Sequence, residues 1–292
     1  MKVAKGAVRL GLVTTHFAEL AVRHSRGQLA LTEPGIDKIA FTGSTETGRR
    51  VMASASINLK RLTLELGGND AAIVLADADP HVVVPALFAA AFGNSGQICL
   101  ATKRLYIHET VFDRIVEGLA ALVQSARIGD GANPDIDFGP VQNRAQFDRV
   151  NSILADSRAH GHQMISGKTI SPSRGFFIPL TLVVDPPDTS RVVVEEAFGP
   201  VLPVMRYREI GDAIARANNS HFGLGASVWT SNPIKARVVG TQLEAGTVWI
   251  NETRYVTPHT PLAGHKQSGF GIELGMPGLL EYALPQTITT RL

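Results

Sequence analysis

Residues 37–55 read DKIAFTGSTETGRRVMASA, and this stretch decides the fold class. Asp37-Lys38-Ile39-Ala40 is strand-like, Phe41-Thr42-Gly43-Ser44-Thr45 follows it, and Glu46 to Ala55 is helix-like. A strand, a Gly-Ser turn and a helix N-terminus together make an anion site, because unpaired amides and the positive end of the helix dipole point at one spot. The stretch is neither the dinucleotide fingerprint G-x-G-x-x-G nor a phosphate loop ending in Gly-Lys-Ser/Thr. Taken alone, an ordinary capped helix start explains it more simply.

Outward from this unit, short β-rich runs alternate with longer amphipathic stretches from Ile36 onward. That alternation predicts an α/β protein with mainly parallel strands and crossover helices. Candidate strands are Lys38 to Phe41, Ala71 to Leu75, Lys103 to Ile107, Val201 to Arg206, Ala226 to Thr230 and Thr247 to Asn251. Pro80 to Phe92 reads as a buried helix opened by Asp79 as N-cap, with Pro80 at its first position. Val111 to Ala126, Gln142 to His160 and Ile210 to Asn219 carry the helical spacing of apolar residues. Met1 to Pro34 has only weak periodicity and yields no element. Pro and Gly cluster at 129–140, 171–175 and 258–278, which read as loops, and no internal repeat is present.

Composition narrows the class. The 292 residues are 44% hydrophobic and 18% charged, ordinary for a globular protein of one large or two moderate domains. A formal charge of +2 without a block of like charges gives no footprint for nucleic acid. The longest apolar stretch, Val82 to Phe92, is too short to span a bilayer, and no secretory signal opens the chain, so a soluble, cytoplasmic protein is expected. A single cysteine excludes an intrachain disulfide framework and any zinc site built from several thiolates.

That lone thiol, Cys99, closes Gly96-Gln97-Ile98-Cys99, just beyond a helix and a Gly-bounded turn. Such a place lets a side chain face a cleft, and a thiolate needs positive potential, backbone amides or a nearby base to react near neutrality. A small buried hydrophobe is the alternative. Glu65 lies in Leu64-Glu65-Leu66-Gly67-Gly68 at the close of an apolar run, where desolvation would raise its pKa toward general-base duty; a solvated turn carboxylate is the alternative. In Glu195-Glu196-Ala197-Phe198-Gly199-Pro200 a carboxylate next to an aromatic ring could meet a ribose while the ring packs on a nicotinamide, or could be a charged turn. His160 with His162 reads as a solvated helix end rather than a metal site, Trp229 and Trp249 as core, and Asp77 and Asp79 as turn and cap residues.

Four such signals in one chain and in this order are no longer independent. FTGST at 41–45, LELGG at 64–68, FGNSGQIC at 92–99, EEAFGPV at 195–201, NNSHFGLGASVWT at 218–230, AGTVWIN at 245–251 and GHKQSGFG at 264–271 resemble the aldehyde dehydrogenase superfamily over roughly residues 36–292. The resemblance implies a partial dinucleotide-binding parallel sheet and a complete α/β catalytic domain. The expected boundaries are 1–66 for an incomplete dinucleotide-binding part, with 1–35 atypical, 67–271 for the catalytic domain, and 272–292 for a C-terminal arm. The arm's closing run, Thr287 to Thr290, suggests an edge strand that pairs across subunits in a homodimer or homotetramer.

The resemblance further implies NAD or NADP as cofactor and an aldehyde as substrate. Cys99 would attack the carbonyl to form a thiohemiacetal, hydride would leave, and water activated by Glu65 would hydrolyse the thioester. Gly43 and Ser44 would lie by the cofactor pyrophosphate and Leu66 by its nicotinamide end. Glu196 matches the ribose-binding glutamate, Phe198 the ring beside the nicotinamide, and Gln146 a residue near the second ribose. No metal is needed.

The chain also departs from the family. Members usually begin with a large part of the dinucleotide-binding domain that has no counterpart here, including an oxyanion asparagine, a ribose-binding lysine and an acidic position that biases the cofactor choice. Loss of one oxyanion donor costs about two to three orders of magnitude in turnover. Two further expectations follow: a truncated or frame-shifted product with one sheet edge unpaired, and, as an alternative function, an impaired remnant with at most cofactor-independent esterase activity. Leu262 stands where the family often has an aromatic residue lining the substrate tunnel.

Overall fold

The computed structural model describes residues 12–13, 33–168 and 175–291. They fall into two compact units, Gly68–Tyr255 and a second made of the chain up to Gly67 together with Val256–Leu292. The sequence reading placed its boundaries at 66/67 and 271/272. Residues 256–271 instead return to the first unit, where the strand Gly269–Phe270 pairs with Leu64 and Glu65.

The larger unit is built on a seven-stranded sheet in the order Thr247–Ile250, Gly225–Trp229, Ala71–Val74, Arg104–His108, Val201–Tyr207, Thr181–Val184, Gln163–Ser166. Neighbouring strands are parallel except the last pair. Both faces are covered, which is why these strands read as continuous apolar runs rather than alternating ones. Ala72, Val74, Leu105, Ile107, Leu202 and Val204 pack with the helices Pro80–Phe92 and Glu109–Ser125. Their neighbours Ala71, Ile73, Tyr106, Val201 and Met205 face the other way, with Val150, Ile153 and Leu154 of Arg144–Ala159 and with Ala213 and Ala217 of Ile210–Asn218.

Helix starts follow the local chemistry. Asp79 accepts from His81 N at 3.0 Å ahead of Pro80, and Asn143 accepts from Gln146 N at 2.8 Å. Trp229 and Trp249 are buried, each donating its indole N–H, to Ser227 Oγ and to the Tyr255 carbonyl.

The smaller unit is a four-stranded sheet ordered Leu12–Val13, Lys38–Thr42, Arg61–Glu65, Gly269–Phe270. Its first three strands are parallel and the last is antiparallel. On the edge expected to be unpaired, Leu12–Val13 lies opposite Ala40 and Phe41 alone and is itself the outermost described strand; the remainder of 1–32 is outside the described residues. Helix Thr45–Ala55 contributes Val51 and Ala55 to a cluster with Ile39, Phe41, Leu64 and Leu66. Near the C-terminus, Glu281 pairs with Lys38 at 2.9 Å. Residues 287–290, expected as an edge strand, form none among the described residues, and Ile288 is exposed.

Candidate active site

In the smaller unit the site begins where the parallel strands end. Glu65 is the last residue of its strand, opposite Thr42 on one side and Gly269 on the other. Its carbonyl accepts from Gly43 N at 3.0 Å, and Leu66 N donates to the Ser268 carbonyl at 2.8 Å. The carboxylate is buried, and Oε1 has no hydrogen-bond partner. Desolvation, and secondarily the charge of Glu273, push its pKa up to about 8. Gly43 and Ser44 stand beside it in chain order at the start of helix Thr45–Ala55, where Ser44 Oγ accepts from Thr47 N at 3.2 Å. The first-turn amides of that helix have no intrahelical acceptor, so an exposed anion fits there. Leu66 is buried, its side chain packed into the unit's core rather than facing solvent.

In the larger unit, helix Pro80–Phe92 runs into a tight turn, Gly93–Gly96, with Asn94, Ser95 and Gly96 all left-handed at φ of 53°, 55° and 72°. Glycine is required at 96, since a Cβ there would lie 2.3 Å from the Gly199 carbonyl oxygen. Flanking bonds hold the turn: Ser95 Oγ to the Gly139 carbonyl at 2.8 Å, and Gln142 N to Gln97 Oε1 at 2.8 Å. Half-buried Cys99 follows directly. Gly68 approaches it so closely that a Cβ would lie 2.9 Å from the Cys99 carbonyl oxygen.

Glu196 and Phe198 lie on the loop before Val201, and Gln146 reaches that loop from helix Arg144–Ala159. Glu196 Oε1 accepts from Gly68 N at 3.0 Å, and its side chain remains 17% exposed. Phe198 is half-buried with φ of 49°, a conformation rare for a bulky residue. Gln146 Nε2 donates to the carbonyls of Ala197 and Phe198 at 2.7 and 2.9 Å, so this side chain holds the loop in place. Arg149 adds a bond to the Glu196 carbonyl at 3.0 Å. Within the smaller unit the amides at Ser44 have the chemistry to hold a phosphate, and within the larger unit the partly exposed Glu196 carboxylate has the chemistry to accept from a diol.

Several buried charges escaped the sequence reading, among them Lys103, Asp70, Arg104 and Lys60. Lys103 and Asp70 are both nearly inaccessible, and desolvation raises the Asp70 pKa to about 7 against the opposing pull of Lys103. The signal was a Lys-Arg pair entering an apolar strand, and an Asp that follows Gly67-Gly68-Asn69. His160 and His162 stack at 5.9 Å, with His160 Nδ1 2.9 Å from the Asp156 carbonyl oxygen. Among the described residues no group of three or more His, Cys, Asp or Glu could hold a metal ion, and no helix is long and apolar enough to cross a membrane.

Residues 20–288 match the model of the aldehyde dehydrogenase family. The chain is 38% identical over 264 residues to aldehyde dehydrogenase LUC3 of a Fusarium species, covering 90% of this chain and 56% of that protein. It is 38% identical over 267 residues to retinaldehyde dehydrogenase 3 of Rattus norvegicus, covering 91% and 52%. Betaine aldehyde dehydrogenase of Staphylococcus aureus, solved with NAD+, superposes with a TM-score of 0.83 at 33% identity over 88% of this chain and 52% of that one. The chain therefore spans about half the length of the relatives it matches, and its matched residues, its α/β fold and its motifs make it a member of the aldehyde dehydrogenase family.

Proposed function

We propose that the chain oxidises an aldehyde to a carboxylic acid, with Cys99 as nucleophile, Glu65 as general base and NAD or NADP as cofactor. The observation that carries this reading is Glu65: a carboxylate buried at a strand end, lacking a partner at Oε1, with its pKa pushed up to about 8. A structural carboxylate would be paired; one left unpaired is suited to take a proton from water.

In the proposed reaction the Cys99 thiolate adds to the carbonyl carbon, forming a C–S bond and moving the carbonyl electron pair onto oxygen. A nicotinamide held there would supply hydride acceptance, and Cys99 would then hold the acyl group as a thioester on Sγ as the oxygen electron pair re-forms the carbonyl. Glu65 then takes a proton from water as its oxygen attacks the thioester, the C–S bond breaks, and the acid leaves with Cys99 restored. The amides before helix Thr45–Ala55 would hold a cofactor phosphate, and Glu196 a ribose, with Phe198 beside the nicotinamide. The relatives' aldehydes differ, and Leu262 leaves this chain without the aromatic residue often found at that place, so the aldehyde is proposed only as a class.

The test is aldehyde-dependent appearance of reduced cofactor. It should vanish in Cys99→Ser, whereas Glu65→Gln should keep a single-turnover burst and lose about 10²–10⁴-fold in steady-state rate. Cys99-dependent ester hydrolysis without any aldehyde-driven cofactor reduction would replace dehydrogenation with plain acyl transfer to water. A wild-type rate unchanged in Cys99→Ser overturns both.

A further inference from the structure

Lys103 is the larger unit's unexplained charge. Its side chain is 7% exposed, at the threshold of strand Arg104–His108, where an apolar residue would be expected. Burial of an ammonium is costly unless every proton finds an acceptor. Here the acceptors are supplied almost entirely by the nucleophile's own loop: the Cys99 carbonyl at 2.6 Å, the Ile98 carbonyl at 3.0 Å and the Ala101 carbonyl at 3.3 Å. The same nitrogen lies 3.8 Å from Glu196 Oε1, which in turn accepts from Gly68 N. One cation therefore ties the loop that carries Cys99 to the carboxylate assigned to the cofactor ribose.

We propose that Lys103 is a positioning residue for Cys99, clamping the nucleophile loop through the Ile98, Cys99 and Ala101 carbonyl oxygens and bringing a positive charge to the main chain of the nucleophile itself. The proposal rests on the reading of Cys99 as nucleophile. The groups facing Lys103 are Asp70, at the start of strand Ala71–Val74, and Glu196, on the loop before Val201; Arg104 is the neighbouring cation, bound to carbonyls of Asn69 and Ala217. A neutral carbonyl clamp would need only hydrogen-bond donors. The buried ammonium adds a field that favours thiolate over thiol.

The test is the pH dependence of Cys99 alkylation by iodoacetamide, read by intact mass on the full chain, which requires neither cofactor nor turnover. Lys103→Met should move the midpoint of the profile up by about one pH unit, a roughly tenfold loss of thiolate at a fixed pH below it. Lys103→Arg should restore it, because a guanidinium keeps the charge and the donors. Glu196→Gln, which removes a negative charge from beside the ammonium, should move the midpoint down, and gives an independent reading if Lys103→Met does not fold. A folded Lys103→Met with the wild-type midpoint overturns the proposal, as does an unmoved midpoint in Glu196→Gln when Lys103→Met is unfolded. No alkylation of wild-type Cys99 at any pH would instead sink the nucleophile reading itself.

Discussion

A carboxylate that is to take a proton from water must be basic enough, and Glu65 gains that basicity from burial rather than from a partner. Desolvation is the main cause, and Glu273 adds like-charge repulsion. Deprotonated Glu65 is the active form, so hydrolysis of the acyl-enzyme should rise with pH and level off above about 8. Glu273→Gln should shift that limb to lower pH while leaving the plateau rate unchanged. Because desolvation is the larger cause, the shift should be well short of a return to the ordinary value of 4.5. A limb unmoved in Glu273→Gln would show that the charge does not reach Glu65. The same carboxylate also makes stability depend on pH. Between 4.5 and about 8 the folded chain keeps a proton that the unfolded chain has released, so stability falls as pH rises through that window. Asp70, raised to about 7, acts in the same direction. Urea midpoints measured across the window should fall less steeply in Glu65→Gln than in wild type, and less steeply still when Asp70→Asn is added, the slope that remains including the contribution of Glu273, whose pKa burial also raises. Equal slopes in wild type and the double variant would exclude both groups as the source.

At the scale of elements, the turn at Gly269 fixes where Glu65 sits. Its φ is 133°, and a Cβ would lie 1.7 Å from the Leu64 carbonyl oxygen, so the antiparallel strand can close on Glu65 only with glycine there. Gly269→Ala should destabilise the smaller unit by more than about 2 kcal/mol, as expected when a backbone clash falls on a paired strand. Gly131→Ala is the matched control: nothing lies within 4 Å of where its Cβ would sit, and its effect should stay within about 0.5 kcal/mol. Comparable losses in the two variants, read by denaturant midpoints, would refute the register argument. The long elements were legible because capping and periodicity agreed, as at Asp79-Pro80 and in Pro80–Phe92. Arg61–Glu65, Gln163–Ser166, Thr181–Val184 and helix Pro233–Gly240 were not named. Gln163–Ser166 is a half-exposed edge strand with a polar pattern, and Thr181–Val184 has four residues, too few to show a period. At the site, the motif residues were legible through resemblance, but their contacts were not. Gly68 and Glu196 are 128 positions apart, and the donors of Gln146 and Lys103 end on main-chain carbonyls, which carry no residue-type signal.

For the molecule as a whole, the two units differ in how much apolar surface they bury. The larger unit packs both faces of its seven-stranded sheet, whereas among the described residues of the smaller the core is one cluster built on Ile39, Phe41, Val51, Ala55, Leu64 and Leu66. Met52, Ile57 and Leu59 on and after helix Thr45–Ala55 are 51%, 71% and 89% exposed, and Leu284 and Ile288 are 79% and 83% exposed. Buried apolar area is the main favourable contribution to folding, so local opening should be easiest in the smaller unit. Amide hydrogen exchange should therefore be slowest in Ala71–Val74, Arg104–His108 and Val201–Tyr207, and faster in Lys38–Thr42 and Arg61–Glu65. The difference carries a functional consequence, because the smaller unit holds both Glu65 and the proposed phosphate amides at Ser44. A ligand that binds only the closed form raises protection by about 2.7 kcal/mol at a concentration 100 times its dissociation constant. Saturating NAD+ or NADP+ should then slow exchange in Lys38–Thr42 and the first turn of Thr45–Ala55, while leaving the slowest strands of the larger unit unchanged. Whichever dinucleotide gives the larger effect is the cofactor. If neither alters exchange anywhere in the smaller unit while Cys99 still hydrolyses esters, the chain carries acyl transfer without the dinucleotide, and the hydride step does not belong to it.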